Sequence, residues 1–233
     1  MIKTLLIGAA AFVLPFSANA ADFPIKAPAF APAPYNWTGF YVGINAGYGL
    51  GSTVIEDKNC NFSCSSQTLN PSGFTVGGAL GFNYQIGSTV LGIEGDWNWI
   101  NASKTYTDSG WPSQHNAKID SFGTIRARAG LALDNTLAYV TAGAAFVDQQ
   151  VTVFDPTGII QGGFSFSKTK TGLAVGAGTE FALSGPWTAK LEYLYIAIPT
   201  VAHIPDDFWT SPIEFYNVKT DMQVIRVGLN YRF

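Results

Sequence analysis

The sequence predicts an all-β protein, an eight-stranded antiparallel up-and-down transmembrane β-barrel. Three observations predict it. Apolar residues alternate with small or polar ones in seven of eight candidate segments, the connections between the segments alternate between long and short, and in those seven charge is confined to the face opposite the bulky apolar side chains.

The chain opens with one cation (Lys3), an apolar run from Leu5 to Phe16, and the small-residue site Ala18-Asn19-Ala20. This is the pattern of a cleaved signal peptide over residues 1–20, with the mature chain expected to start at Ala21. The apolar run is too short for a spanning helix, which needs about 20 residues, and no second candidate follows. Residues 21–37 (ADFPIKAPAFAPAPYNW) hold four prolines and no periodicity, which predicts an extended periplasmic leader before a barrel over residues 38–233.

The first strand, within GFYVGINAGYGL, sets Phe40, Val42, Ile44, Ala46, Tyr48 and Leu50 against Tyr41, Gly43, Asn45, Gly47 and Gly49. The second sets Phe74, Val76, Leu80, Phe82 and Tyr84 against Thr75, Gly77, Ala79, Gly81 and Asn83. In the third, Leu91, Ile93, Trp97 and Trp99 oppose Glu94, Asp96 and Asn98; in the fourth, Ile125, Ala127, Ala129 and Leu131 oppose Thr124, Arg126 and Arg128. The fifth, Leu137 to Val147, is apolar on both faces and its facing stays open. The sixth opposes Leu173, Val175, Ala177, Phe181 and Leu183 to Gly172, Gly176, Gly178 and Glu180. The seventh opposes Trp187, Ala189, Leu191, Tyr193 and Tyr195 to Lys190 and Glu192, and the eighth opposes Ile225, Val227, Leu229, Tyr231 and Phe233 to Arg226, Gly228, Asn230 and Arg232. Each segment has the roughly 9 to 11 residues that cross a bilayer at a tilt.

Connections after odd-numbered strands are long (Ser52–Gly73, Asn101–Asp120, Asp148–Ser167, Ala197–Lys219), and those after even-numbered strands are tight turns near Ile86–Thr89, Asp134–Thr136 and Ser184–Pro186. Four long extracellular loops and short periplasmic turns are the outer-membrane arrangement. A water-soluble barrel would reverse the faces, and its core would have to hold nine charges: Glu94, Asp96, Arg126, Arg128, Glu180, Lys190, Glu192, Arg226 and Arg232. With the bulky face on lipid, these nine become a lumen charge network. Glu94 and Asp96 are expected to pair with Arg126 and Arg128 on the adjacent strand, and Lys190 and Glu192 with Glu180 and Arg226. Aromatics fall at the strand ends, with Phe40, Phe82, Tyr84, Trp187, Tyr231 and Phe233 on the periplasmic side and Tyr48, Trp99, Tyr193 and Tyr195 on the outer side.

Without Lys3 the chain has 12 Lys+Arg against 16 Asp+Glu, so no basic field exists for nucleic acid. Charged residues make up only 12% and aromatics 14%, too apolar a mixture for disorder.

The runs WTGFYVGINAGYGLG, LGIEGDWNW, GAGTEF and VIRVGLNYRF resemble the small outer-membrane β-barrel family of alphaproteobacterial surface antigens, often labelled porin-family or opacity-like. The resemblance covers the strands and leaves the long loops unmatched. It implies an integral outer-membrane protein of Gram-negative bacteria that supports envelope integrity and acts as a surface antigen; outer-membrane lipid and lipopolysaccharide are the partners expected of a barrel in that membrane. Hemin bound at the loops is implied as well, since some members have been associated with it. Leu229, Tyr231 and Phe233 resemble the C-terminal signal read by the barrel-assembly machinery.

Other motifs carry less. Cys60 and Cys64 lack the further ligands a metal needs, and in an oxidising compartment a small loop disulfide is expected. The glycines of Gly176–Gly178 and Gly47–Gly51 open no helix and read as small residues on a crowded wall rather than phosphate ligands. His115 and His203 fall in the second and fourth long connections, where a pair can ligate haem iron, although a lone loop histidine is ordinarily solvated. No serine has a G-x-S-x-G context, so neither an enzyme nor a resident cofactor is expected. The function expected is structural and antigenic with a largely closed lumen; the alternatives are a small diffusion pore or a ligand-binding surface protein.

Overall fold

The computed structural model describes residues 35–57, 66–107, 114–154, 164–203 and 216–233. The expected signal peptide, most of the leader and the Cys60–Cys64 pair lie outside the described residues. Eight long strands form the wall: β1 (Gly39–Asp57), β3 (Ser72–Ile86), β4 (Thr89–Thr107), β5 (Gln114–Leu133), β6 (Thr136–Phe154), β7 (Phe164–Ala182), β8 (Trp187–His203) and β9 (Tyr216–Arg232). A short β2 (Ser66–Leu69) pairs with the outer end of β1. All neighbours are antiparallel, and β1 pairs with β9 to close the barrel.

The register sets the barrel's dimensions. From Leu173 on β7, paired residues run through Ala144, Ile125, Gly95 and Leu80 to Val42 on β1. In the other direction they run through Ala197 and Asp221 to Ser52, ten residues further along β1. With a rise of about 3.3 Å and a strand spacing of about 4.8 Å, that stagger tilts the strands about 40° at a radius of about 8 Å. Long side chains from opposite strands therefore meet at the axis.

The strands are 15 to 20 residues long, more than a bilayer crossing needs. The long connections read from the sequence are in large part strand. Asn101–Asp120, for example, is strand to Thr107 and again from Gln114. Alternation fades there because no lipid selects the outer face, yet Thr, Tyr and Asn still suit a ladder, and the Asn116 amide donates to Thr105 Oγ1 at 2.8 Å. At the other end the wall turns back tightly, with Gly87 (φ 62°), Asp134 (φ 52°) and Gly185 (φ 59°) in the left-handed region that short hairpins require.

The outward face is apolar and open to the bilayer, with Phe74 81% and Ile44 69% exposed, whereas Arg126 and Arg226 on the inward face are each 1% exposed. On β6, left open by the sequence, Leu137, Tyr139, Thr141, Ala145 and Val147 point inward and are buried, while Val140 faces out.

Candidate functional site

The lumen gathers the residues with chemical potential, and four carboxylates and four cations form one layer across it. Arg126 on β5 is the hub: Nη2 donates to Glu94 Oε1 (2.6 Å) and Asp96 Oδ2 (2.7 Å) on β4, and Nη1 donates to Glu192 Oε1 (3.0 Å) on β8. Arg226 on β9 donates from Nε to Glu192 Oε2 (2.7 Å) and from Nη2 to Asp96 Oδ2 (3.0 Å). Lys190 on β8 reaches Glu94 Oε2 at 2.8 Å, and Arg128 on β5 reaches Glu180 Oε2 on β7 at 2.9 Å.

The adjacent-strand pairing expected from the sequence describes Glu94 and Asp96 with Arg126, and Glu192 with Arg226. Two other pairings differ from it. Lys190 is in register with Glu180 but bonds Glu94 on the opposite wall, and Arg128, 3.9 Å from Glu94 on β4, makes its shorter bond to Glu180 on β7. A radius of about 8 Å makes the cross-lumen reach as short as the reach along the wall. Arg232 stands apart at the periplasmic mouth, its guanidinium 4.2 Å from the Tyr35 ring centroid. The layer proper is therefore neutral, four against four, rather than carrying the +1 that counting Arg232 would give.

Neutral groups complete the layer. Thr124 and Asn98 donate to Asp96, Thr188 and Asn230 to Glu180, Tyr41 to Glu94 (2.7 Å) and Tyr139 to Glu192 (3.1 Å). These partners were absent from the sequence reading of the network. The two tyrosines carried a signal, since each sits on the inner parity opposite a glycine, Tyr41 against Gly81 and Tyr139 against Gly178. A Cβ added at Gly81 or Gly178 would lie 2.4 or 2.6 Å from those rings. The glycines let the rings lie against the wall, and Tyr139 then flanks Arg128, whose Cζ is 3.9 Å from its centroid.

Beyond the ionic layer, toward the outer end, the lumen holds an apolar cluster, with buried Lys170, Gln149, Thr53 and Thr220 at and above its level. Ile100, Phe122, Val147, Leu194, Ile196, Met222 and Val224 form a buried cluster. Ile100 lies so close to Gly49 that an added Cβ there would be 2.5 Å from Cδ1. The sequence reading treated the inner face as polar throughout and missed this cluster. Its signal is the point where a strand turns apolar on both faces just past its last inner charge, as in Leu194–Ile196 after Glu192. At the periplasmic end Trp37, Val90, Leu137 and Tyr139 form a smaller cluster with Tyr35 beside it. Tyr35 and Trp37, read as the end of the leader, thus pack with the barrel.

The remaining named residues lie elsewhere. Leu229 and Tyr231 are on the outward side of β9, Phe233 directly follows it and is exposed, and the Phe233 amide donates to the Phe40 carbonyl at 2.9 Å. The Tyr231 ring packs edge-on to Trp187 (5.1 Å) and Phe233 (5.3 Å), and Phe40 packs on Phe82 (4.7 Å), making a periplasmic belt. His115 and His203 lie on β5 and β8 rather than in loops. Among the described residues no three His, Cys, Asp or Glu are grouped to hold a metal.

The profile of the outer membrane protein β-barrel domain family matches residues 9–233. The chain is 34% identical over 250 residues to the 31 kDa outer-membrane immunogenic protein of Brucella melitensis, covering 100% of both. It is 30% identical over 241 residues to the 25 kDa outer-membrane immunogenic protein of Brucella abortus, covering 100% of this chain and 99% of that one. In fold it is similar to the outer membrane protein OprG of Pseudomonas aeruginosa, with a TM-score of 0.52 at 14% identity over 84% of this chain and 97% of that one. A closed antiparallel barrel with lipid-compatible outside and charged inside, matched to this family over nearly its whole length, belongs to the outer membrane protein β-barrel domain family and resides in the outer membrane.

Proposed function

We propose that the barrel serves the envelope structurally and presents its outer strand extensions as a surface antigen, with a lumen closed to solutes and no catalytic role. The observation that carries this reading is the double filling of the lumen, a neutral ionic layer followed by an apolar cluster, both buried. A water-filled pore has no need of charge neutrality, whereas a dry interior does, because an unpaired charge there costs several kcal/mol. Every lumen carboxylate is engaged by a cation and by a neutral donor, which leaves none placed as a general base.

The aromatic belts and apolar outer face support contact with membrane lipid and lipopolysaccharide. Leu229, Tyr231 and Phe233 are the residues we assign to recognition by the barrel-assembly machinery. The test of closure is single-channel recording of the refolded protein in planar bilayers. No steady current is expected, and large, stable conductance steps would replace this reading with a diffusion pore.

A further inference from the structure

The periplasmic mouth is covered by the chain itself. Residues 35–38 precede β1 without joining a ladder, and the Trp37 ring, 1% exposed, packs in one cluster with Val90 of β4 and with Leu137 and Tyr139 of β6. Tyr35 meets Trp37 edge-on at 4.7 Å between ring centroids, and the Arg232 guanidinium lies 4.2 Å from the Tyr35 centroid. The segment is a strap across the lower lumen, directly beneath the ionic layer that Tyr139 joins through Glu192.

The strap is held by its rings far more than by its main chain. Among the described residues, its hydrogen bonds to the wall run through Gln85 alone: the Trp37 amide donates to Gln85 Oε1 (2.7 Å), and the Gln85 amide donates to Thr38 Oγ1 (3.0 Å). An open cleft lined by Tyr35, Asn36, Thr38, Gln85 and Gly87 brings water to this latch. Gly39 joins the strap to β1 at φ 144°, a conformation that favours glycine, so the joint can turn without side-chain strain.

Seating the strap also strips polar atoms of water without replacing it. Of nine buried side-chain polar atoms that lack a hydrogen-bond partner among the described residues, three are Tyr35 Oη, Trp37 Nε1 and Arg232 Nη1. Two more, Asn83 Oδ1 and Asn230 Oδ1, sit at the same end, in register with Gly39 and Gly43. Ring burial favours the seated strap, whereas each orphaned group favours a state in which water reaches it. The opposition is concentrated on one short segment with one latch and one glycine joint.

We propose that Tyr35–Thr38 is a releasable floor of the barrel, which swings about Gly39 between a seated state and one that opens the lower lumen to the periplasm. In the open state water reaches the underside of the ionic layer, so the strap sets how dry that layer is. Ion passage is not required, because the apolar cluster above the layer shares no residue with the strap's seat. Local opening of this kind leaves the strand ladders intact.

The test places a reporter thiol under the strap in the full mature chain with Cys60→Ser and Cys64→Ser, refolded in lipid vesicles. Val90→Cys lies in the strap's seat, and Val147→Cys, equally buried, lies in the apolar cluster. Iodoacetamide should modify Val90→Cys about tenfold faster or more than Val147→Cys. Adding Gln85→Ala, which breaks the latch without removing the covering ring, should speed Val90→Cys about tenfold again and leave Val147→Cys unchanged. Equal rates at the two sites, no response to Gln85→Ala, or equal acceleration of both would each overturn the proposal. A second measurement needs no reporter: the Trp37 indole N–H, followed by NMR, should exchange with deuterium faster than the Val42 amide in the β1 ladder. Exchange as slow as that of Val42 would mean that the strap leaves only when the barrel unfolds.

Discussion

The two halves of the lumen close the same cylinder by different physics. In the periplasmic half, eight charged side chains from β4, β5, β7, β8 and β9 satisfy one another through oriented hydrogen bonds. In the outer half, Ile100, Phe122, Leu194, Ile196, Met222 and Val224 fill space without orientation, with a small polar set of Gln149, Thr220 and Thr53 beyond them. The first kind of closure depends on every partner being present, since removing one leaves another charge buried and alone. The second depends on volume, and a lost methylene costs only what that methylene contributed. A conserved-volume swap is therefore tolerable in the outer half, whereas in the ionic half it removes a charge and disturbs the whole layer.

The largest expected effect comes from the hub. Arg126→Ala leaves Glu94, Asp96 and Glu192 each short of a donor and should lower the unfolding free energy by about 3–5 kcal/mol, read by denaturant titration in lipid vesicles. A loss under about 1 kcal/mol would mean that the ionic layer is no more cooperative than a surface pair. Leu194→Ala should cost about 2–4 kcal/mol, with the same value at low and high salt. Combined with Arg126→Ala it should be additive, whereas Glu94→Ala combined with Arg126→Ala should cost much less than the sum of the two singles. Additivity in both pairs would erase the distinction between the halves.

Conductance sharpens the same contrast. Arg126→Ala with Arg128→Ala opens only the ionic layer, so the apolar cluster should still prevent steady current in planar bilayers. Steady steps from that variant would show that the ionic layer alone seals the barrel.

Smaller effects are expected away from the lumen. Deleting Phe233 removes one outward ring and one terminal hydrogen bond to Phe40, so refolding in detergent should change little while cell-surface levels fall. Unchanged surface levels would remove Phe233 from the assembly signal. The smallest effect belongs to Cys60→Ser with Cys64→Ser. A disulfide there closes a very short loop, so stability should shift by under about 0.5 kcal/mol. Mass spectrometry of the exported protein should find no free thiol, and two free thiols would dispose of the bond.

Much of the lumen was legible in the residues. Glu94, Asp96, Arg126 and Arg128 alternate with bulky apolar neighbours, and a two-residue period allows only one assignment of sides once the greasy face meets lipid. Tyr41 and Tyr139 were harder to read, because their role depends on the glycine opposite, and that requires the register. His115 and His203 were misplaced as loop residues because polar strand extensions above a membrane show no hydrophobic alternation to reveal them.

Alternation, turn chemistry and charge placement by themselves determined the strand number, the sidedness of each strand except β6, and the membrane the barrel crosses, since each depends only on local periodicity and on which side chains tolerate lipid. The tertiary structure decided the partners. A ten-residue stagger around a radius of about 8 Å brings Lys190 to Glu94 and Arg128 to Glu180, and leaves Arg232 at the mouth. It also stacks Leu194, Ile196 and Phe122 into one plug. These outcomes depend on the distance across a closed cylinder and on the phase between strands far apart in sequence, neither of which is set by any single strand.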